Sequence, residues 1–165
     1  MKTRILQIAL FCFSVALISG PPSLWAGDAA TTNQARIYDE SASGDNQVAD
    51  AVAIAQKEHK RILLKFGANW CGWCHKLHKL FESDKSVSEE LKSDYVVALI
   101  DVNKGHNKDL VVKYGAQAGY GIPFLVLLDS DGTHLITKHC EDFEEGDHYN
   151  PQKVLAFLKE WPLKR

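Results

Sequence analysis

Apolar positions along this chain follow two periods, and the switches between them mark out the elements. Val48, Ala51, Val52 and Ala55 recur at helical spacing, with Asp45 or Asn46 placed to cap the start and His59 near the end. Arg61 to Phe66 then carries a nearly unbroken apolar run, Ile62-Leu63-Leu64-Lys65-Phe66, that reads as a strand. Leu77, Leu80 and Phe81 restore the helical period up to about Ser83, and Ser86 to Lys92 reads as one more short helix. Tyr95 to Val102 is a continuous apolar stretch of the kind buried on both faces of a sheet. Asn107 to Tyr114 is read as a helix stopped by Gly115. Ile122-Pro123 leads into a further apolar strand, Phe124 to Leu128. Asp129-Ser130-Asp131-Gly132 then supplies a hairpin turn with glycine where positive φ is expected, and Thr133 to Lys138 returns as a strand. Pro151 to Trp161 closes the chain as an amphipathic helix through Val154, Leu155, Phe157 and Leu158. No segment repeats another. The order βαβ, β-hairpin, helix predicts an α/β fold with a mixed central sheet flanked by helices on both faces.

The N-terminal segment stands apart from this pattern. Lys2 and Arg4 precede a mostly apolar run from Ile5 to Ile18, Gly20-Pro21-Pro22 breaks it, and Leu24-Trp25-Ala26 offers a small residue for cleavage. Residues 1–26 are therefore expected to be a secretory signal peptide. The competing reading is an uncleaved anchor, but the run is shorter than the roughly 20 residues a span needs. Residues 27–45 form a polar arm with little expected structure, which leaves 46–165 as a single folded domain. The whole chain of 165 residues carries a net −2. Removal of the signal takes away Lys2 and Arg4 and leaves 17 basic against 21 acidic residues, with no basic run to suggest nucleic acid. Export places the mature chain in the periplasm or another extracytoplasmic space, and membrane contact is expected only through the signal before cleavage.

Export also changes how the cysteines read. Cys12 leaves with the signal and is assigned no chemistry; Cys71, Cys74 and Cys140 remain. An odd count with one close pair is not a multi-bridge scaffold. Within Asn69-Trp70-Cys71-Gly72-Trp73-Cys74-His75, two thiols separated by two residues can close a small disulfide and reopen it. At a helix start the first thiol is also activated, because unpaired backbone N–H groups favour its thiolate. In an oxidising compartment the dithiol persists only if something reduces it, so a redox role implies an electron partner. Two other readings use the same letters. Cys71-Gly72-Trp73-Cys74-His75 matches the pattern of c-type haem attachment, with His75 as axial ligand. The preceding strand and Pro123 go unexplained by it, and the only Met is Met1. A metal held by Cys71, Cys74, His75 and His78 is the other; one or both histidines are expected to face solvent instead. No metal and no cofactor are expected.

Ile62-Leu63-Leu64-Lys65-Phe66-Gly67-Ala68-Asn69-Trp70-Cys71-Gly72-Trp73-Cys74 resembles the active-site segment of the thioredoxin superfamily, and Ile122-Pro123 stands where that family has its cis-proline. The resemblance covers about residues 46–161 and looks closest to exported bacterial thioredoxin-like proteins. It implies a thioredoxin-like fold and a thiol–disulfide oxidoreductase acting on disulfide- or thiol-containing protein substrates. Cys71, as the exposed nucleophile, would form a mixed disulfide; Cys74, one turn deeper, would resolve it and leave Cys71–Cys74 oxidised. Pro123, if cis, would face the pair and present the Ile122 backbone to a substrate strand, while Trp70, Gly72 and Trp73 would frame the substrate site. The Ile before Pro123 favours a reductase or isomerase. A non-enzymatic thioredoxin-fold binding module, for a client protein or a metal, is the alternative.

Three features depart from the family pattern or stand outside it. Lys65 occupies the place where thioredoxins proper keep a buried acid; the expectation is that its stem packs and its amine snorkels to water. The alternative is an amine that approaches the site and favours thiolate there. Cys140 lies in the acidic run Cys140-Glu141-Asp142-Phe143-Glu144-Glu145, and its two readings are a third redox or mixed-disulfide site or a lone thiol without a role; acidic neighbours should raise its pKa and favour the second. The segment 115–121, Gly-Ala-Gln-Ala-Gly-Tyr-Gly, either shapes a substrate groove or simply joins two elements.

Overall fold

A computed structural model describes residues 35–116 and 121–161. The expected signal peptide, the start of the polar arm and most of the 115–121 segment lie outside the described residues.

The element order follows the apolar pattern. Helix α1 (Gly44–Glu58) leads to β1 (Arg61–Gly67), α2 (Gly72–Ser83), α3 (Lys85–Asp94), β2 (Tyr95–Asp101), α4 (Lys108–Lys113), β3 (Phe124–Leu128), β4 (His134–His139) and, at the end, α5 (Pro151–Lys159). The strands form one mixed sheet in the order β2-β1-β3-β4, with β1 and β2 parallel and β1–β3 and β3–β4 antiparallel. A parallel neighbour requires a crossover, supplied here by α2 and α3, while β3 and β4 need only the turn at Asp129–Gly132. Gly132 takes φ +87 in that turn, a conformation that costs glycine nothing.

Every residue of β1 is buried because both of its faces are covered. Ile62, Leu64 and Phe66 point to one side and pack with Val48, Ala51 and Ala55 of α1 and Leu110 of α4. Leu63 points to the other, with Leu77 and Phe81 of α2, Val87 and Leu91 of α3 and Val154, Phe157 and Leu158 of α5. The period of two along the strand thus feeds two cores, one per face. The helices on both faces are those that the apolar pattern predicts.

Caps fix the helix starts. Asp84 Oδ1 accepts from Val87 N at 3.0 Å, and Asn150 Oδ1 accepts from Gln152 N at 2.8 Å, with Pro151 at the first helical position. Helix α1 is capped by Ser43, two residues earlier than Asp45, because Asn107 Oδ1 also takes the Gly44 amide at 2.9 Å. The acidic run before α5 is not a plain loop. It holds a 3-10 turn (Cys140–Phe143) and a two-stranded ribbon of β5 (Glu144–Glu145) with β6 (His148–Tyr149), both too short to leave a period in the sequence.

Candidate functional site

The strand β1 ends at Gly67, and four residues later Cys71 caps α2 with extended backbone, φ −81 and ψ 107. Its sulfur accepts the Cys74 amide N–H at 3.1 Å, so the sulfur is itself the helix cap. A sulfur at this point faces the unpaired amides and the positive end of the helix, both of which favour a thiolate. The structure joins Cys71 and Cys74 in a disulfide across the first turn, with a Cα–Cα separation of 5.2 Å. Cys74 has no exposed surface and Cys71 keeps only 5%. The first cysteine is the more accessible of the two, but much less open than an exposed nucleophile.

The Ile122–Pro123 peptide is cis, and the Ile122 carbonyl oxygen lies 3.5 Å from Cys71 Sγ. Beside it runs a groove of about 330 Å³ lined by Trp73, Gly121, Ile122, Pro123, Glu141 and Tyr149 among others. Trp73 meets Tyr149 edge-on at 5.1 Å, and Lys76 Nζ sits 4.2 Å from the Trp73 ring centre. Trp70 is 68% exposed and donates its indole N–H to Asn103 Oδ1 at 3.0 Å. The dithiol, the cis-proline and the two tryptophans therefore share one end of the sheet, and Gly72 is exposed between them.

The histidines weighed as ligands are engaged elsewhere. His75 Nε2, the nitrogen an axial haem ligand would offer, is 2.7 Å from the Asn69 carbonyl oxygen and so donates to it. His78 Nε2 pairs with Glu82 at 3.3 Å, and burial together with the nearby Lys65 charge lowers its pKa. Both are half-buried, not solvent-facing. Among the described residues no three His, Cys, Asp or Glu side chains converge as a metal site requires.

Lys65 overturns the snorkelling expectation. Its side chain is completely buried, and Nζ donates to the Cys74 carbonyl at 3.0 Å while standing 5.3 Å from the Tyr38 ring centre and 5.9 Å from that of Phe81. Snorkelling needs an open face, and β1 has none: Lys65 lies between Leu99 of β2 and Leu125 of β3 with α2 above it. Burial without a carboxylate partner brings the Lys65 pKa down to about 7. Cys140 is buried at 1% exposure, and its thiol pKa is raised chiefly by that burial, with Lys65 opposing. The acidic neighbours Glu144 and Asp142 add less than the expectation gave them.

One contributor was not visible in the sequence. Tyr38, from the supposedly loose arm, is 2% exposed and packs with Cys71 and Cys74. Asn69 clamps this strap: its Oδ1 accepts from the Ile37 and Tyr38 amides at 2.9 Å each, and its Nδ2 donates to Tyr38 O at 3.0 Å and Glu40 Oε1 at 2.8 Å. The only available signal was indirect. Gly67 has no side chain, and Tyr38 Oη and Cys74 Sγ occupy the space that one would fill.

Comparison with known proteins agrees with this geometry. A family model described as thioredoxin-like matches residues 44–130. The crystal structure of a disulphide isomerase from Xylella fastidiosa superposes with a TM-score of 0.67 at 31% identity, covering 76% of this chain and 96% of that one. A protein disulfide-isomerase of Medicago sativa is 32% identical over 79 residues, 48% of this chain and 15% of that protein. The thiol:disulfide interchange protein DsbD of Photorhabdus laumondii is 26% identical over 98 residues, 59% of this chain and 16% of that protein. The chain thus spans about a sixth of the curated relatives it matches. With the strand–dithiol–helix unit, the cis-proline and a full-length structural relative all in agreement, this chain belongs to the thioredoxin-like family.

Proposed function

We propose that this protein is an exported thiol–disulfide oxidoreductase that exchanges its Cys71–Cys74 pair with disulfides and thiols of protein substrates. One observation carries the reading: a disulfide closed across the first turn of α2, its outer sulfur accepting a helix amide and lying against the cis Ile122–Pro123 bond. Relatives whose names include disulfide isomerases and a thiol:disulfide interchange protein support it. The signal-like residues 1–26, outside the described part, support export.

In the reducing direction, the Cys71 thiolate attacks one sulfur of a substrate disulfide. A Cys71–substrate disulfide forms and the other substrate sulfur leaves as thiolate, to be protonated by solvent. Cys74, deprotonated, then attacks Cys71 Sγ. The Cys71–Cys74 bond forms, the substrate is released with two electrons, and an outside donor must reduce the pair again. Lys65 donates to the Cys74 carbonyl and, when protonated, places a positive charge next to the resolving cysteine. Trp73 and the Ile122–Pro123 backbone line the groove beside the dithiol, Trp70 stands exposed next to Cys71 in the chain, and all are assigned to substrate contact. The isomerase or reductase direction is favoured over net oxidation, in line with the names of the relatives.

The test is a Cys74→Ser variant incubated with a disulfide-bonded model peptide. A stable Cys71–peptide adduct, released by reductant and absent from Cys71→Ser, is the expected result. No adduct, together with no reversible couple in a thiol redox buffer, would replace the enzyme by a non-catalytic binding module.

A further inference from the structure

The hydroxyl of Tyr38 is buried and has no hydrogen-bond partner among the described residues, although Asn69 fixes the residue's backbone on both sides. A buried donor left unpaired is costly, which points to a partner that appears in another state of the molecule. The space around Gly67 identifies it. A side-chain carbon built on Gly67 would lie 2.3 Å from Tyr38 Oη and 2.7 Å from Cys74 Sγ, so both atoms stand over the same Cα–H bond. In the disulfide, Cys74 Sγ is a weak acceptor; as a thiolate it is a strong one.

We propose that the Tyr38 hydroxyl donates a hydrogen bond to the Cys74 sulfur when that sulfur is reduced, stabilising the resolving thiolate. This rests on the thiol–disulfide exchange reading above. In the mixed disulfide, Cys74 loses its proton to solvent base and its thiolate attacks Cys71 Sγ. The Cys71–Cys74 bond forms as the Cys71–substrate bond breaks, and the departing sulfur keeps the electron pair and takes up a proton. Tyr38 keeps its own proton throughout. Burial raises its pKa, and Cys140 and Asp101 raise it further, so it remains a donor at any working pH.

Five ionisable groups interact with the Tyr38 hydroxyl. Cys74 comes from α2, Lys65 from β1, Asp101 from the end of β2, Cys140 from the turn after β4 and Tyr149 from β6. Asp101 is the rival acceptor. Its Oδ2 is taken by the Asn103 amide at 3.1 Å and His106 Nδ1 at 3.0 Å, but its Oδ1 is buried without a partner. A hydroxyl serving Asp101 would do so in both redox states; one serving Cys74 acts in the reduced state alone. That difference is measurable.

Tyr38→Phe in the full chain keeps the ring and removes only the hydroxyl. The reads are the equilibrium of the Cys71–Cys74 couple with glutathione and the pH profile of glutathione release from a mixed disulfide preformed on Cys71. Loss of a hydrogen bond to a charged sulfur should shift the equilibrium about tenfold toward the disulfide. The midpoint of the release profile should rise by about one pH unit. Wild-type equilibrium and profile in the Phe variant would overturn the proposal and assign the hydroxyl to Asp101 or to packing. Should that variant not fold, the Tyr38 hydroxyl proton of the wild type decides by NMR. A downfield, slowly exchanging signal that appears on reduction supports the proposal, and one identical in both states refutes it. A wild-type protein that never equilibrates with glutathione would instead refute the exchange reading itself.

Discussion

Lys65 Nζ donates a hydrogen bond to the carbonyl of Cys74 at 3.0 Å from a side chain with no exposed surface. An amine in that position gives up its proton more readily than a free lysine, with its pKa lowered by burial from 10.5 to about 7. Between those two values the unfolded chain binds a proton that the folded one does not, so the stability this site contributes rises with pH across that window. It is lowest below about pH 7, where folding must bury the charge. The slope is at most about 1.4 kcal/mol per pH unit. Lys65→Met should remove the slope and stabilise the protein near neutrality, since an apolar chain of similar length replaces a buried charge. Urea melts of both proteins at about pH 6 and about pH 9 check it. A stability difference that does not narrow at the higher pH would mean that the amine is not titrating in this range.

Gly67→Ala should cost about 1–3 kcal/mol, because the new methyl group meets Tyr38 Oη and Cys74 Sγ well inside contact distance and neither lies at the end of a flexible chain. Thermal melts of the oxidised protein report the loss. A variant as stable as wild type would show that Tyr38 can leave its place without penalty.

Asn69→Ala removes four hydrogen bonds that hold Ile37, Tyr38 and Glu40 to the loop before the dithiol. The expected destabilisation is about 1–3 kcal/mol, the range for leaving buried groups unpaired. Hydrogen exchange should speed up first at the amides of Ile37 and Tyr38, with the amides of β1 unchanged. Equal acceleration throughout β1 would point to global unfolding instead.

Cys140 should resist alkylation in both redox states of the folded protein, since its thiol is buried and its pKa is raised. Peptide mapping after iodoacetamide treatment, with and without denaturant, checks this. Labelling of native Cys140 at a rate near that of a free thiol would show that the turn Cys140–Phe143 opens.

The principal strands and helices were legible because each is long enough to carry a period, and β1 and β3 because burial on both faces makes them continuously apolar. The run Tyr95–Val102 carries the same pattern, but β2 is an edge strand with Val97 38% exposed, so only part of it is buried on both faces. The dithiol and Pro123 were legible as a motif in order. What could not be read depends on residues far apart in sequence. Ser43 caps α1 in place of Asp45 or Asn46, three capping residues within four positions, because Asn107 reaches Gly44 from across the fold. The sequence at Lys65 predicts an amine that reaches water, as lysines usually do; only the cover on both sides of β1 closes that route. Tyr38 lies in polar sequence with no apolar neighbour beyond Ile37, and its burial comes from a vacant space at Gly67 and a side-chain amide at Asn69. The ribbon of β5 and β6 is too short for any pattern.

The strap also bears on where this domain begins. Judged by secondary structure, residue 44 is the natural start, and the thioredoxin-like match starts there as well. A chain trimmed to that point would keep every strand and helix, both cysteines and the cis-proline. It would lose the aromatic that seals the floor of the dithiol site, and water would reach a sulfur that the intact chain keeps dry. Such a protein would pass for the native one by circular dichroism and differ from it in the potential and rate of its disulfide. The boundary of the fold and the boundary of the redox centre are therefore different places on this chain.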